Sequence, residues 1–449
     1  MKQILNRRRF LSQSSTAGVG LLILRNSRTA FAYDANSKLN IAGIGVGGQG
    51  RSSLDAFHRM GNNLVALCDV DTQRAGDIYQ KHPDAKPYQD FRKMFDQMEK
   101  KIDAVLVATP DHTHAVAAVA AMKLGKHVYC EKPLTRTVYE ARVMRETAAR
   151  HKVVTQMGNQ GSADRALRRA VERVWGGVIG DVRETHVWFG GGNGPMKRPT
   201  ETAPVPAGLN WDLWLGPAES RPYSPAYAPA TWRAWRAFGS GILGDFACHT
   251  ANIMFRALRL EQLWQKSMNP GVSKVIVRVQ AWPSEVDAEG YPTSSKVVFD
   301  LPARGSLPAV KSTWYAKERP SEELLLGHKQ GVWGDLLIGS KGSLYSENPW
   351  NANYVMLPEK RFEDFKGGPP ESLPRVKSHQ WEWIEACKGN GRTFSSFDIG
   401  GPLTEMAQLA NLAAWVEGPI EYDTLSGKIL NSRPARNLLH REYRKGWSL

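Results

Sequence analysis

The chain is poor in cysteine, has no long apolar run and, over its first thirty-three residues, carries no acid. Its four cysteines, Cys68, Cys130, Cys248 and Cys387, lie far apart in 449 residues. No CxxC pair occurs, so neither a disulfide framework nor a zinc ribbon is encoded. Cys68 and Cys130 fall in strand-like apolar runs and read as buried free thiols. No stretch is apolar enough to cross ~30 Å of hydrocarbon as a helix. Zinc-finger spacing and the aromatic signature of RNA-binding sheets are both missing. The net charge of +15 therefore reads as a basic surface and not as a nucleic-acid interface. Internal repeats and low-complexity tracts are absent as well.

The missing acid has a different meaning. Lys2, Arg7, Arg8, Arg9, Arg25 and Arg28 leave +9 for the remainder, where it is spread thinly. Arg7-Arg8 is followed by Phe10-Leu11, then by apolar residues 17–24, then by Ala30-Phe31-Ala32. This is the three-part layout of a cleaved signal peptide, here with the RR-x-F-L core of a twin-arginine leader. Residues 1–32 are expected to be an export signal, placing the mature protein in the periplasm or otherwise outside the cytoplasm. The twin-arginine route carries folded proteins.

What remains is ordinary globular composition, 42% hydrophobic and 23% charged, in a length that suits two domains. The mature chain opens with LNIAGIGVGGQGRSSLDAF. An apolar strand, 39–44, runs into Gly45, Gly47 and Gly50 as G-x-G-x-x-G, and helical spacing follows at Leu54 and Phe57. Gly43, Gly45 and Gly48 repeat the pattern two residues earlier, but the later set leaves the longer strand. Strand, glycine turn and helix together form the context of a dinucleotide site. A second strand, 64–68, ends at Asp69, 24 residues after Gly45, close to the ~20 expected for the acid on the adenosine ribose. A carboxylate there repels a 2′-phosphate, so NAD is expected. Arg74 nearby weakens that preference and leaves NADP open.

Strands and helices alternate to about residue 158, the signature of a doubly wound parallel sheet. Residues 33–158 are assigned to a Rossmann domain and 159–449 to an α/β substrate domain, with the extreme C-terminus free to pack back on the first. Asp69, Thr109, Pro110, Glu131 and Lys132 all follow strands, so they share the carboxyl-end rim where ligands of such sheets bind. His112 is counted with Thr109 and Pro110 on the cofactor side. Lys132 stands before Pro133, which restricts it to extended backbone; a cis bond is an open option there. A lysine after a strand is ordinarily a solvated loop residue. One held rigidly beside a nicotinamide is a plausible catalytic group.

Beyond residue 158 comes an aromatic, loop-rich stretch, 190–238, that suits either sugar faces or plain packing. A helix is expected from Asp245, after Gly244. It puts Asp245 and His249 on one face, either as an acid/base pair or as a surface ion pair. A run of strands, 274–346, then argues an antiparallel sheet. His112 and His114 have no further ligands at metal spacing, so no metal is expected.

GVGGQG, CDVD, ATPDHTHA, CEKP and GILGDFACH, in this order, resemble the Gfo/Idh/MocA oxidoreductases, and the leader with WDLWLGP resembles the exported subgroup. The resemblance implies a Rossmann domain plus a C-terminal α/β domain with a large open, mainly antiparallel sheet used for homo-oligomer contacts. It implies NAD(P)-dependent oxidation or reduction at a secondary hydroxyl of a sugar, inositol or related polyol. The family's lysine maps onto Lys132 and its Asp and His onto Asp245 and His249. On that footing His249 takes the hydroxyl proton, Lys132 stabilises the alkoxide, Asp245 orients substrate or His249, and Glu131 steadies the lysine. Related proteins that hold NAD tightly are glycosidases, and a non-catalytic sugar-binding protein is a third class. The presence of Lys132, Asp245 and His249 together argues against the last.

Overall fold

The computed structural model describes residues 38–365 and 367–449. The segment read as an export signal lies outside the described residues. Strands β1 (Asn40–Ile44), β2 (Asn63–Cys68), β3 (Lys86–Tyr88), β4 (Ala104–Val107), β5 (His127–Glu131) and β6 (Thr155–Gly158) form one sheet in the order β3-β2-β1-β4-β5-β6. Every pair in it is parallel. Helices cover both faces, so β4 reads AVLV and is buried along its whole length. The strand order reverses between β1 and β4, which opens a crevice at their carboxyl ends.

The second sheet has nine strands: β7 (Val182–Phe189), β8 (Ile276–Pro283), β9 (Ser295–Leu301), β10 (Val310–Ala316), β11 (Gly334–Gly339), β12 (Gly342–Ser346), β13 (Val355–Leu357), β14 (Ile420–Asp423) and β15 (Lys428–Ile429). Their order is β13-β12-β11-β7-β10-β9-β8-β14-β15. All neighbours are antiparallel except β7 and β10. That pair is parallel because the chain leaves β7 and crosses through helices Gly241–Thr250 and Asn252–Ala257 before it returns to this sheet. β9 alternates buried and exposed positions, so one face packs on helices and the other stays open.

Two helices begin earlier than their sequence suggests: the first is expected from His114, after the DHT of PDHTHA, and the second from Asp245. Helix Asp111–Lys123 takes in the DHT that follows Pro110. Helix Gly241–Thr250 starts at Gly241, whose φ of +58° makes the turn that Gly244 was expected to make. Gly244 instead lies inside the helix, where a methyl would meet Ser240 Cβ at 2.2 Å and Gln408 Nε2 at 3.1 Å. Glycine there permits close approach of helix Phe397–Ala413.

The aromatic stretch is first of all a core. Trp211, Trp214, Tyr223, Tyr227, Trp232, Trp235 and Phe238 form one cluster, with Trp211 stacked on Trp214 at 4.7 Å. Its loop is sewn to the first domain by the Asn210 N–H on the Val70 carbonyl and the Thr72 N–H on the Gly208 carbonyl. The C-terminal arm also returns to the first domain: Trp447 receives the Arg92 guanidinium at 4.4 Å over its ring. Arg444 binds the Asp212 carboxylate and the Gly216 carbonyl.

Candidate active site

A cavity of about 550 Å³ opens at the carboxyl ends of the parallel strands. At one end it is built mainly from backbone. Gly45 adopts φ +82°, and a methyl there would lie 2.6 Å from the Ala108 carbonyl carbon. Gly50 opens helix Gly50–Arg59 and presses on the Gly45 carbonyl, which a methyl would approach to 2.6 Å. The turn thus occupies 45–49, so Gly45, Gly47 and Gly50 take the three glycine positions and Gly43 stays in β1. Asp69 closes this end. Its carboxylate accepts the Gly47 N–H at 2.7 Å and the Asp71 N–H at 2.9 Å. Burial raises its pKa against the pull of those donors. Arg74 Nε donates to the Gly47 carbonyl, which keeps that guanidinium on the turn. A glycine turn with no room for side chains, a helix N-terminus and an acid behind it form a cradle that fits a dinucleotide.

The other end is built from charged side chains. Lys132 follows β5, and its bond to Pro133 is cis. Its Nζ donates to Asp245 Oδ1 at 2.6 Å and to the Asp245 carbonyl at 3.1 Å, and lies 5.5 Å over the Phe246 ring. Lys132 comes from the first domain and Asp245 from the second, so the ion pair ties the two together. Asp245 therefore serves the lysine and not His249, and it is not among the residues that line the cavity. His249 does line it, one helical turn on. Burial, then the Lys132 charge, pushes its pKa well below the usual imidazole value. Its Nδ1 is buried without a hydrogen-bond partner. A neutral imidazole with a free nitrogen is able to accept a proton.

Thr109 and Pro110 line the cavity as well, and His112 does not. His112 is fully buried between Trp214 and Phe238, with Nε2 2.9 Å from the Trp214 carbonyl. Burial takes its pKa down to about 3. It joins the domains instead of facing a cofactor, because its position on helix Asp111–Lys123 turns it toward the second domain. His114 spans from the Thr109 carbonyl at 2.7 Å to the Pro133 carbonyl at 2.9 Å, and so braces the Lys132 turn. Glu131 does not touch the lysine amine in this arrangement. Its carboxylate accepts from Gln160 Nε2 at 3.2 Å, and burial raises its pKa to about 7.

One group was passed over in the sequence. Asp111, in the same PDHTH run, is 2% exposed and lines the cavity, with Oδ2 lacking a hydrogen-bond partner. Burial, then the nearby Asp245 charge, raises its pKa to about 7. Nothing local marks it, since Asp245 lies far along the chain. Trp214, Tyr223 and Trp232 add ring surface to the cavity wall, and Arg233 stands at its rim. Among the described residues, no three His, Cys, Asp or Glu side chains are grouped to hold a metal.

Fold and cavity define a two-domain chain with a dinucleotide cradle facing a lysine-centred polar site. The pattern of an oxidoreductase family with an NAD-binding Rossmann fold matches residues 39–159, and that of the same family's C-terminal α/β domain matches 186–259. The chain belongs to the Gfo/Idh/MocA oxidoreductase family. It is 30% identical over 151 residues to an inositol 2-dehydrogenase of Salmonella typhimurium, a match covering 33% of this chain and 44% of that one. It is 34% identical over 153 residues to a glycosyl hydrolase family 109 protein of Solibacter usitatus, covering 30% and 34%. The match therefore spans less than half the length of these curated relatives. In fold it is similar to an inositol dehydrogenase homolog from Azotobacter vinelandii, solved with NADH and myo-inositol. The TM-score is 0.56 at 19% identity, over 86% of this chain and 97% of that one.

Proposed function

We propose that the protein is an NAD-dependent oxidoreductase acting on a secondary hydroxyl of a sugar, inositol or related polyol. The observation that carries this reading is a single cavity lined by the glycine turn at one end and by Lys132 and His249 at the other. The names of the relatives support the substrate class. Bound NAD supplies the hydride acceptor or donor. The chain's residues supply the rest. Gly45, Gly47 and Gly50 cradle the pyrophosphate, and Asp69 takes the ribose hydroxyls, which favours NAD over NADP. Lys132, as an ammonium held by Asp245, stabilises negative charge on the substrate oxygen. His249, kept neutral by burial and lining the same cavity, accepts the hydroxyl proton. Trp232 and Tyr223 offer faces to the substrate's C–H surface.

The test is mass spectrometry of the folded, purified chain followed by assay on a polyol and aldose panel. Co-purifying NAD and reduction of it by one panel member are expected. A chain that neither holds nor binds a nicotinamide dinucleotide sinks the reading. A second reading, a redox-neutral glycosidase that retains its NAD, is favoured by the glycosyl hydrolase relative and by Trp447 of the C-terminal arm, which lines the cavity beside Phe91 where it would help hold the cofactor. Release of an aryl aglycone without added NAD selects it. The twin-arginine leader supports export to the periplasm, which fractionation of expressing cells checks. The open face of the nine-stranded sheet, with Trp282 49% exposed, supports a homo-oligomer, which light scattering checks.

A further inference from the structure

A second, smaller cavity of about 70 Å³ lies where the first domain, helix Phe397–Ala413 and the C-terminal arm meet. Three guanidinium groups, those of Arg136, Arg236 and Arg441, line it together with His440, and no carboxylate does. Arg136 is 7% exposed, and its Nε is buried with no hydrogen-bond partner. One of its nitrogens, Nη1, donates to the Arg236 carbonyl at 2.8 Å. Arg236 spreads over the Trp415 ring at 3.9 Å and gives Nη1 to the Ala288 carbonyl at 3.3 Å. Among the described residues none of the three forms an ion pair. The neighbouring acids are already committed. Glu289 holds Arg198 and Arg221, Asp287 accepts backbone N–H groups of Met196, Glu289 and Gly290, and Glu140 takes the Thr137 N–H and the Tyr443 hydroxyl. Burial, then the charges of Arg136 and Arg236, brings Arg441 down to about 9.

Clustered guanidinium groups with no direct ion-pair partner repel one another and are costly to desolvate. Their planar forks are suited to oxyanions. Thr137 and Val138, at the start of helix Val138–His151, line the same space, and a capping box of Thr137 and Glu140 fixes that start beside the cavity. We propose that this cavity is a binding site for a small tetrahedral oxyanion, inorganic phosphate or sulfate. The donors approach from three separate elements, which suits a tetrahedral ion, and the volume of about 70 Å³ is on the scale of a single small ion. The bound ion joins the C-terminal arm to the first domain, and three residues further on the same arm is fastened by Arg444 to Asp212.

The test is thermal unfolding of the full chain in low-salt buffer, with and without millimolar phosphate, sulfate or acetate. Phosphate and sulfate are expected to raise Tm by about 2 °C or more, saturably. Arg441→Gln is expected to unfold at or above the wild-type temperature without the ion, because it relieves repulsion, and to lose the phosphate increment. Arg183→Gln, on the exposed surface, keeps the increment and controls for general charge. Absence of a phosphate shift in the wild type overturns the site. So does an increment that survives Arg441→Gln, or an Arg441→Gln chain destabilised equally in all buffers. An equal response to acetate overturns the tetrahedral class.

Discussion

The two ends of the large cavity are made of different material. The dinucleotide end is a backbone device: three glycines, a helix start and one carboxylate held by N–H groups. The substrate end is a side-chain device, with Lys132, Asp245, Asp111 and His249 brought from distant parts of the chain. The first depends chiefly on backbone shape. The second depends on charge and is set by burial. Mutation and titration should therefore separate them.

The sharpest break comes at the turn. Gly45→Val is expected to abolish dinucleotide binding and to destabilise the first domain, since the new side chain meets the Ala108 backbone at a positive φ. Calorimetric titration with NAD and a melting curve check both effects. At the other end, Asp245→Asn leaves the shape intact and releases the lysine from its ionic partner. Turnover is expected to fall by about 100-fold, the scale of an ångström-level misplacement of a catalytic group. NAD affinity should change little; a matching loss of NAD affinity would merge the two ends and break the distinction.

Asp111 gives a smaller, pH-dependent effect. Its folded-state pKa, about 7, lies above the ordinary carboxyl value. A raised carboxyl binds its proton more tightly in the folded chain, so its contribution is fully present below the unfolded pKa and is lost as pH rises through about 7. Asp111→Asn is therefore expected to be more stable than wild type at pH 8, by on the order of 1–3 kcal/mol. The gain should vanish by about pH 4. Its pH–rate profile should lose an inflection near 7. A gain that is the same at both pH values contradicts the assigned titration. The mildest effect belongs to the arm. Arg444→Ala unfastens it from Asp212 and is expected to speed dinucleotide release by about 3–10-fold, in the range of one partly exposed charged hydrogen bond. Stopped-flow displacement measures that rate.

The same contrast explains what could be read in advance. Gly45, Asp69 and Lys132 were legible because strand, turn and helix follow one another locally, and the rim of a parallel sheet collects strand ends. Asp111 was not, because its raised pKa comes from burial in the folded chain and then from Asp245, over a hundred residues away. Asp245 and His249 were placed on one helix, but which of them would take the lysine was decided by the docking of two domains. His112 shows the reverse error: a polar residue beside the rim that the fold turned inward against Trp214. The aromatic stretch stayed ambiguous because its rings serve both uses at once, packing on one another while Trp214, Tyr223 and Trp232 reach the cavity. Neither the Arg444 clasp nor the three-arginine cavity has a local sequence mark.

The most direct measurement is a single turnover of chain-bound NAD in the wild type and in Lys132→Ala, read by the absorbance of the reduced nicotinamide after a polyol substrate is added. Equal NAD occupancy in both proteins, with reduction seen in the wild type and none detectable in the variant, is the predicted result. Reduction at a near wild-type rate without the Lys132 amine contradicts the account.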